Sequence, residues 1–277
     1  MQMWTPAQPE DYLARWGLTV VGETLTTPSS TLIPVSFDGR EGMLKVARID
    51  EEARGNSVLA WWHGAGAAPV WRVDEHAALL ARATGRTLAT ISVDGDDHAA
   101  TLELCSLAQT LHGASALSSP PAGLVALADW FRELFEMAEH HPRGAGGVWS
   151  RAAGLASTLL ADASQDVVLH GDLHHDNVLD FGDGDWRAID PKGVHGNRLF
   201  DYTVLLRNPR RDVALAHFAE RVQLIAKSSR APVSTVLEWA VASCALSAAW
   251  STNDGDTEAA STSLALASLA ERMLGES

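Results

Sequence analysis

The order of its hydrophobic patterns is what most restricts the folds open to this chain. Two-residue alternation is confined to the stretch from Leu18 to Leu80, and spacing of three to four residues dominates afterwards. Leu32 to Phe37 reads as one strand, Asp38-Gly39-Arg40-Glu41-Gly42 as a turn, and Gly42 to Ala47 as the returning strand. Asp50 to Trp62 reads as a helix with acidic residues in its first turn, where the helix dipole favours them. Pro69 to Val73 and Ala77 to Leu80 read as two further short strands. Helical spacing then covers Asp97 to His112, Leu127 to His140, Val148 to Ala163, Arg211 to Ser228, Ser234 to Trp250 and Glu258 to Leu274, with a loop at Gly144-Ala145-Gly146-Gly147. Strands first and helices afterwards predict an α+β fold in two lobes. The small β-rich lobe spans residues 1–82 and the mainly helical lobe 83–277, divided where Ala83-Thr84-Gly85-Arg86 breaks the strand pattern.

Composition excludes several classes. Apolar residues make up 46% and charged residues 20%, enough to build and solvate a core, and no apolar run approaches the ~18 residues that span a membrane. The opening Met1-Gln2-Met3-Trp4-Thr5-Pro6 lacks the basic start and apolar stretch of a signal peptide, so a cytoplasmic protein is expected. Cys105 and Cys244 are too few and too far apart for a disulfide framework or a cysteine-based zinc site. A formal charge of −14 repels a nucleic-acid backbone, and nothing points to a membrane or protein partner. That acidity either keeps the chain soluble or surrounds a cationic substrate; composition does not separate the two.

The chemistry concentrates in Val167-Val168-Leu169-His170-Gly171-Asp172-Leu173-His174-His175-Asp176-Asn177-Val178-Leu179 and in Ala188-Ile189-Asp190-Pro191-Lys192-Gly193. Asp180-Phe181 and Trp186 to Ile189 can pair as a hairpin across Gly182-Asp183-Gly184-Asp185, which returns Asp190 to the side of Asn177. Phosphoryl transfer needs a carboxylate to take a hydroxyl proton, and oxygen ligands that fix Mg²⁺ against the phosphates. Asp172 and Asn177 stand five apart, and an aspartate follows a hairpin, the arrangement of the H-R-D-x-x-x-x-N and D-F-G segments of kinases. Asp172 is then the base, and Asn177 and Asp190 the metal ligands. No arginine separates His170 from Asp172, so control by activation-loop phosphorylation is not expected. A competing reading makes His170, His174 and Asp176 metal ligands, although neither H-E-x-x-H nor a zinc spacing is present. Asp180 to Asp185 fails the EF-hand pattern, and the chain has no Walker A or G-x-G-x-x-G motif.

His-Gly-Asp-Leu-His-His-Asp-Asn followed by Ile-Asp-Pro resembles the aminoglycoside phosphotransferase family, whose fold is similar to that of protein kinases. With Lys192-Gly193, Gly196 through Phe200-Asp201, Arg54-Gly55 and Leu246-Ser247-Ala248-Ala249-Trp250, the chain resembles the streptomycin 6-phosphotransferase and hydroxyurea-kinase branch. The resemblance implies a kinase-like two-lobe fold and ATP- and Mg²⁺-dependent transfer to a hydroxyl, with a streptomycin-type aminoglycoside the favoured acceptor. A metabolite kinase for an amino alcohol, a sugar amine or a hydroxyurea-like compound would share every catalytic residue. A catalytically silent nucleotide-binding protein on this scaffold would not need Lys45, Asp172, Asn177 and Asp190 together.

The resemblance also distributes roles. Lys45, the first lysine of the chain, would reach the nucleotide phosphates with Glu52 as its partner and Glu51 close behind; the alternatives are an edge-strand charge for the lysine and a solvated helix face for the two glutamates. The turn Thr26 to Thr31 would cover the phosphates, with Ser29 and Ser30 as donors, or else be an ordinary polar hairpin loop, and the adenine would meet backbone groups from Ala81 to Ala83. Asp201 would brace the catalytic turn. Asp254, Asp256 and Glu258 would meet cationic groups of the acceptor or form a solvated loop. Asp129, Glu133 and Glu136, sharing one helix face, are expected to be solvated.

Overall fold

The computed structural model describes residues 8–116, 118–141 and 147–276. The opening segment to Pro6 and residues 144–146 of the expected glycine loop lie outside them. Helix α1 (Pro9–Trp16) starts on a proline and ends at Gly17, whose φ of 64° suits glycine. The strands β1 (Thr19–Val20), β2 (Leu25–Thr26), β3 (Ser30–Phe37) and β4 (Arg40–Ala47) follow. Between β3 and β4 only Asp38 and Gly39 turn the chain, at φ 50° and 73°, the backbone a two-residue hairpin requires. Helix α2 (Asp50–Trp61) then leads to β5 (Val70–Val73) and β6 (Ala77–Ala81).

These strands form one antiparallel sheet in the order β1-β3-β4-β6-β5, with β2 beside β3. Alternation along β4 assigns its two faces. Leu44 and Val46 pack with Ile33, Val35, Leu79 and Tyr12 under α1, whereas Met43 and Lys45 face the opposite side. Because β4 is central, Lys45 is not an edge-strand charge; it is 4% exposed.

Beyond Ala81 the chain is mainly helical. Helices α3 (Leu88–Val93) and α4 (Asp97–Gly113) are capped by the side chains of Thr87 and Asp96. Next come β7 (Val125–Ala126), α5 (Leu127–Trp130), α6 (Arg132–His140), α7 (Val148–Leu160), β8 (Asp166–Leu169), β9 (Val178–Asp180), β10 (Trp186–Ala188) and β11 (Val194–Asn197). Helices α8 (Leu199–Val204), α9 (Arg211–Ser229), α10 (Val233–Asn253) and α11 (Thr257–Gly275) complete the described chain. α10 is long and apolar enough by composition to cross a membrane, but 67% of its apolar stretch is buried inside the protein. It is the core helix, packed against α7, α8 and α11.

Several sequence expectations are corrected. α1 and α3, each of eight residues or fewer, were not expected. The single helix expected over Leu127 to His140 divides at Phe131, whose fully buried ring meets Phe200 and Trp239 edge-on. α7 stops at Leu160, and 163–165 forms a separate 3-10 turn. The hairpin is shifted slightly: Val178–Asp180 pairs with Trp186–Ala188.

Candidate active site

The turn from His170 to Asn177 hangs from one carboxylate. β8 delivers His170 and Gly171 to the start of α8, where Asp201 is wholly buried. Its carboxylate accepts the His170 N–H at 2.9 Å and the Gly171 N–H at 2.8 Å, with His112 Nε2 at 2.8 Å. Asp201 therefore stands where the resemblance put a brace. His170 Nε2 donates to the Ile189 carbonyl at 2.8 Å, its Nδ1 accepts the Asp172 N–H at 3.3 Å, and its ring stacks on Trp62. Burial lowers the imidazole pKa, so the ring stays neutral. Both nitrogens are committed, which removes His170 from the competing metal reading. Among the described residues no cluster of three His, Cys, Asp or Glu side chains could hold a metal ion.

Gly171 has φ +84°, and a Cβ there would lie 3.0 Å from the Trp130 ring and 3.2 Å from Lys192 Cβ. Glycine lets the chain pass between them and present Asp172. Asn177 Nδ2 donates to the Asp172 carbonyl at 2.9 Å and to its carboxylate at 3.2 Å. The hairpin β9–β10 returns the chain so that Ile189 N–H reaches the Asn177 carbonyl at 2.9 Å, and Asp190 follows with φ +63°. Asn177 Oδ1 and the Asp190 carboxylate are hard oxygen donors, the kind magnesium takes. Burial would raise the Asp172 pKa, but His174 beside it, with help from His170 and Lys192, holds it down to about 2.

Helix α2 lies directly on the Asp190–Gly193 segment. A Cβ on Gly55 would be 2.1 Å from the Pro191 carbonyl oxygen, and one on Gly193 2.8 Å from Arg54 Cβ. This approach brings Glu52 into a closed ring of four charges. Lys45 pairs with Glu52 and with Asp190; Lys192 pairs with Asp190 at 2.7 Å and with Glu52 at 3.3 Å. Burial opposes ionisation, yet the two ammonium groups hold the Asp190 carboxyl well below the usual carboxylate range. Ser30 lines the cleft beside Ser29, but it is buried against α2 and its hydroxyl donates to Glu52 at 3.0 Å.

Two spaces meet at this ring. A cleft of about 580 Å³ between the sheet and the β9–β10 hairpin is lined by Ser29, Lys45, Ala81, Ala83, Asn177 and Asp190, among others. Ala81 N–H is taken by the Pro69 carbonyl and Arg82 N–H by Glu41, which leaves Ala83 with an N–H directed to no described partner. On the other side of Asp172 lie adjoining cavities of about 440 and 460 Å³ that share Asp172, Arg207 and Trp250. Glu51, Asp129 and Glu133 line the first; Asp256 and Glu258 line the second. Asp254 lines neither and is exposed at the end of α10, and the Asp256 carboxylate caps α11 through the Ala259 N–H. Asp129 and Glu136 are exposed, as expected of a solvated face, although Asp129 also borders the first cavity; Glu133, half-buried there, is the one that departs from the expectation. The signal available for Asp129 and Glu133 was their position on either side of Trp130, which meets Trp250 edge-on at 5.4 Å.

The family model described as aminoglycoside/hydroxyurea antibiotic resistance kinase matches residues 15–255. The streptomycin 3''-kinase of Klebsiella pneumoniae is 40% identical over 272 residues, covering 95% of this chain and all of that protein. The streptomycin 6-kinase of Streptomyces griseus is 30% identical over 95% of this chain and 88% of its own. The hydroxyurea phosphotransferase of Kitasatospora aureofaciens is 32% identical over 73% of this chain and 61% of its own. Among solved structures, a microcompartment-associated aminopropanol kinase superposes with a TM-score of 0.68 at 17% identity, covering 96% of this chain and 97% of its own. A thermostable aminoglycoside phosphotransferase APH(4)-Ia mutant, in complex with ADP and hygromycin B, gives 0.64 at 13% identity over 95% and 97%. The fold is that of the kinase-like phosphotransferases.

Proposed function

The chain belongs to the aminoglycoside/hydroxyurea antibiotic resistance kinase family, phosphotransferases with an alcohol group as acceptor, and we propose that it carries the γ-phosphoryl group of ATP to a hydroxyl of streptomycin. The 3''-hydroxyl is the favoured position, supported by the full-length similarity to a streptomycin 3''-kinase. The observation that carries the reading is the location of Asp172, on the wall of the cavities that face away from the nucleotide cleft and five residues from Asn177 inside that cleft.

Residues 1–82 and the β9–β10 hairpin hold the nucleotide. Lys45, oriented by Glu52, meets the α- and β-phosphates, Ser29 covers them, and backbone groups of Ala81 and Ala83 meet the adenine. Residues 83–277 supply the catalytic turn and the acceptor cavity. Asp172, ionised and clamped by Asn177, orients the acceptor hydroxyl and accepts its proton. Asn177 Oδ1 and Asp190 would hold Mg²⁺, which neutralises phosphate charge when bound. Glu51, Asp129, Glu133, Asp256 and Glu258 give guanidinium and ammonium groups of the acceptor carboxylates to meet.

The test is ADP release by the purified protein with streptomycin, other aminoglycosides, hydroxyurea and amino alcohols in parallel. Turnover with streptomycin well above the rest is expected. Turnover confined to amino alcohols or hydroxyurea would replace the acceptor and leave the kinase assignment standing.

A further inference from the structure

We propose that Lys192 is a second catalytic cation, whose ammonium leaves the Asp190–Glu52 carboxylates to hydrogen-bond the phosphoryl group in transfer. The inference deepens the phosphotransferase reading above and rests on it. Lys192 occupies the partition between the two spaces. Its Nζ bonds Asp190 and Glu52, which line the nucleotide cleft, while the same side chain lines the acceptor cavity together with Asp172 and Gly171. Its main chain is fixed to the catalytic turn, for Lys192 N–H donates to the His170 carbonyl at 2.8 Å. An ammonium on this backbone cannot drift far from Asp172.

The ring of four charges contains one cation more than nucleotide binding requires. Lys45 and Glu52 form a pair of their own in the centre of the sheet and on the helix above it. Two ammonium groups and two carboxylates balance while no ligand is bound. A divalent cation on Asp190 would displace its ammonium partners. Lys45 still has Glu52 at close range, but Lys192 keeps the longer 3.3 Å contact to the same residue, with Asp172 and Glu51 as its remaining acidic neighbours on the side of the acceptor cavity. Lys192 is thus the cation released, and its side chain is only 15% exposed, so water does not replace the lost partner cheaply.

In the transfer, the acceptor oxygen forms a bond to the γ-phosphorus. The bond from that phosphorus to the β–γ bridging oxygen breaks, its electron pair staying on ADP, and the hydroxyl proton goes to Asp172. Lys192 keeps its proton and donates a hydrogen bond to a non-bridging oxygen of the phosphoryl group. An electrostatic contact aimed at that group is worth most in a site closed to water.

The test compares AMP-PNP with ADP, both with Mg²⁺ and without acceptor, in wild type and Lys192→Gln, using calorimetry. Wild type should favour AMP-PNP. Lys192→Gln should lose roughly ten- to a hundredfold of AMP-PNP affinity, the worth of a charge-assisted hydrogen bond, and keep its ADP affinity. Its kcat should fall while the acceptor KM stays. Equal losses for both nucleotides would overturn the proposal and make Lys192 a brace for Glu52 and Asp190. An unchanged kcat would overturn it too. Should Lys192→Gln not fold, Lys192→Arg keeps the charge: lowered kcat with wild-type ADP affinity and melting temperature is expected, and wild-type kcat overturns the proposal. Failure of wild type to bind either nucleotide would instead overturn the phosphotransferase reading beneath it.

Discussion

The side-chain amide of Asn177 holds Asp172 at two points, its carbonyl oxygen at 2.9 Å and its carboxylate at 3.2 Å. The two residues lie on opposite sides of one partition, Asp172 facing the proposed acceptor cavities and Asn177 the proposed nucleotide cleft. One hydrogen-bonded pair therefore sets the position of the proposed base relative to the proposed metal ligand.

Asp172→Asn should keep this geometry and remove the base. A fall in kcat of roughly 10²–10⁴ is expected, with nucleotide affinity near wild type. Near-normal turnover, measured by ADP release, would remove Asp172 from the mechanism.

Lys45→Ala should weaken nucleotide binding and also lower stability, because Glu52 and Asp190 then share Lys192 as their close cation. The loss should lie near the lower end of the ~3–5 kcal/mol typical of a broken buried pair. Calorimetric nucleotide binding and urea unfolding measure the two effects. Wild-type values in both would leave the burial of Lys45 in a central strand without consequence.

Gly55→Ala should be poorly tolerated. Its Cβ would stand 2.1 Å from the Pro191 carbonyl, which is backbone and can yield only by moving α2 or the Asp190 segment. A loss of ~1–3 kcal/mol in urea unfolding and a lower kcat are expected, as for an overpacked core. Unchanged stability and kcat together would show that α2 does not lie against this segment.

Much of this arrangement was legible in the sequence because it is local. The five-residue interval from Asp172 to Asn177 and the Gly182–Asp185 turn fix their own geometry, and Lys45 alternates with Leu44 and Val46. Asp201 followed from the resemblance. What sequence did not disclose depends on distant packing. Phe131 breaks its helix because Phe200 and Trp239 receive its ring. Glu133 has the pattern of a wet face, and only the placement of α2 and α10 turns its position into a cavity wall, while Asp129 stays exposed at the rim. Ser30 turns to Glu52 because the helix lies above it.

Acid should unfold the protein through a buried histidine. His175 is wholly buried, its Nε2 accepting at 3.5 Å from Arg221, which is itself paired with Asp97, and His174 adjoins it. Burial first, and Arg221 second, lower its pKa to about 3. The unfolded chain takes this proton near pH 6.5 and the folded chain does not, so the contribution is whole above ~6.5 and falls by ~1.4 kcal/mol per pH unit below it. His170, also buried, acts with the same sign. Melting temperature should fall between pH 6.5 and about 4, and His175→Gln should flatten the slope. Parallel slopes in both proteins would contradict this.

Acceptor binding should respond to salt and to particular carboxylates. Glu133→Gln and Asp256→Asn should raise the streptomycin KM, and ionic strength should raise it in wild type as screening shortens to about 10 Å at 0.1 M. Asp254→Asn should leave KM unchanged, since Asp254 lines neither cavity. A KM that rises only with Asp254→Asn would relocate the cation site to the end of α10.

The most direct measurement of the central claim is mass spectrometry of streptomycin after incubation with ATP, Mg²⁺ and the protein. Wild type should yield streptomycin carrying one phosphoryl group, and Asp172→Asn at the same concentration almost none. Unmodified streptomycin from an active wild-type preparation, or equal product from both proteins, would contradict an aminoglycoside phosphotransferase that works through Asp172.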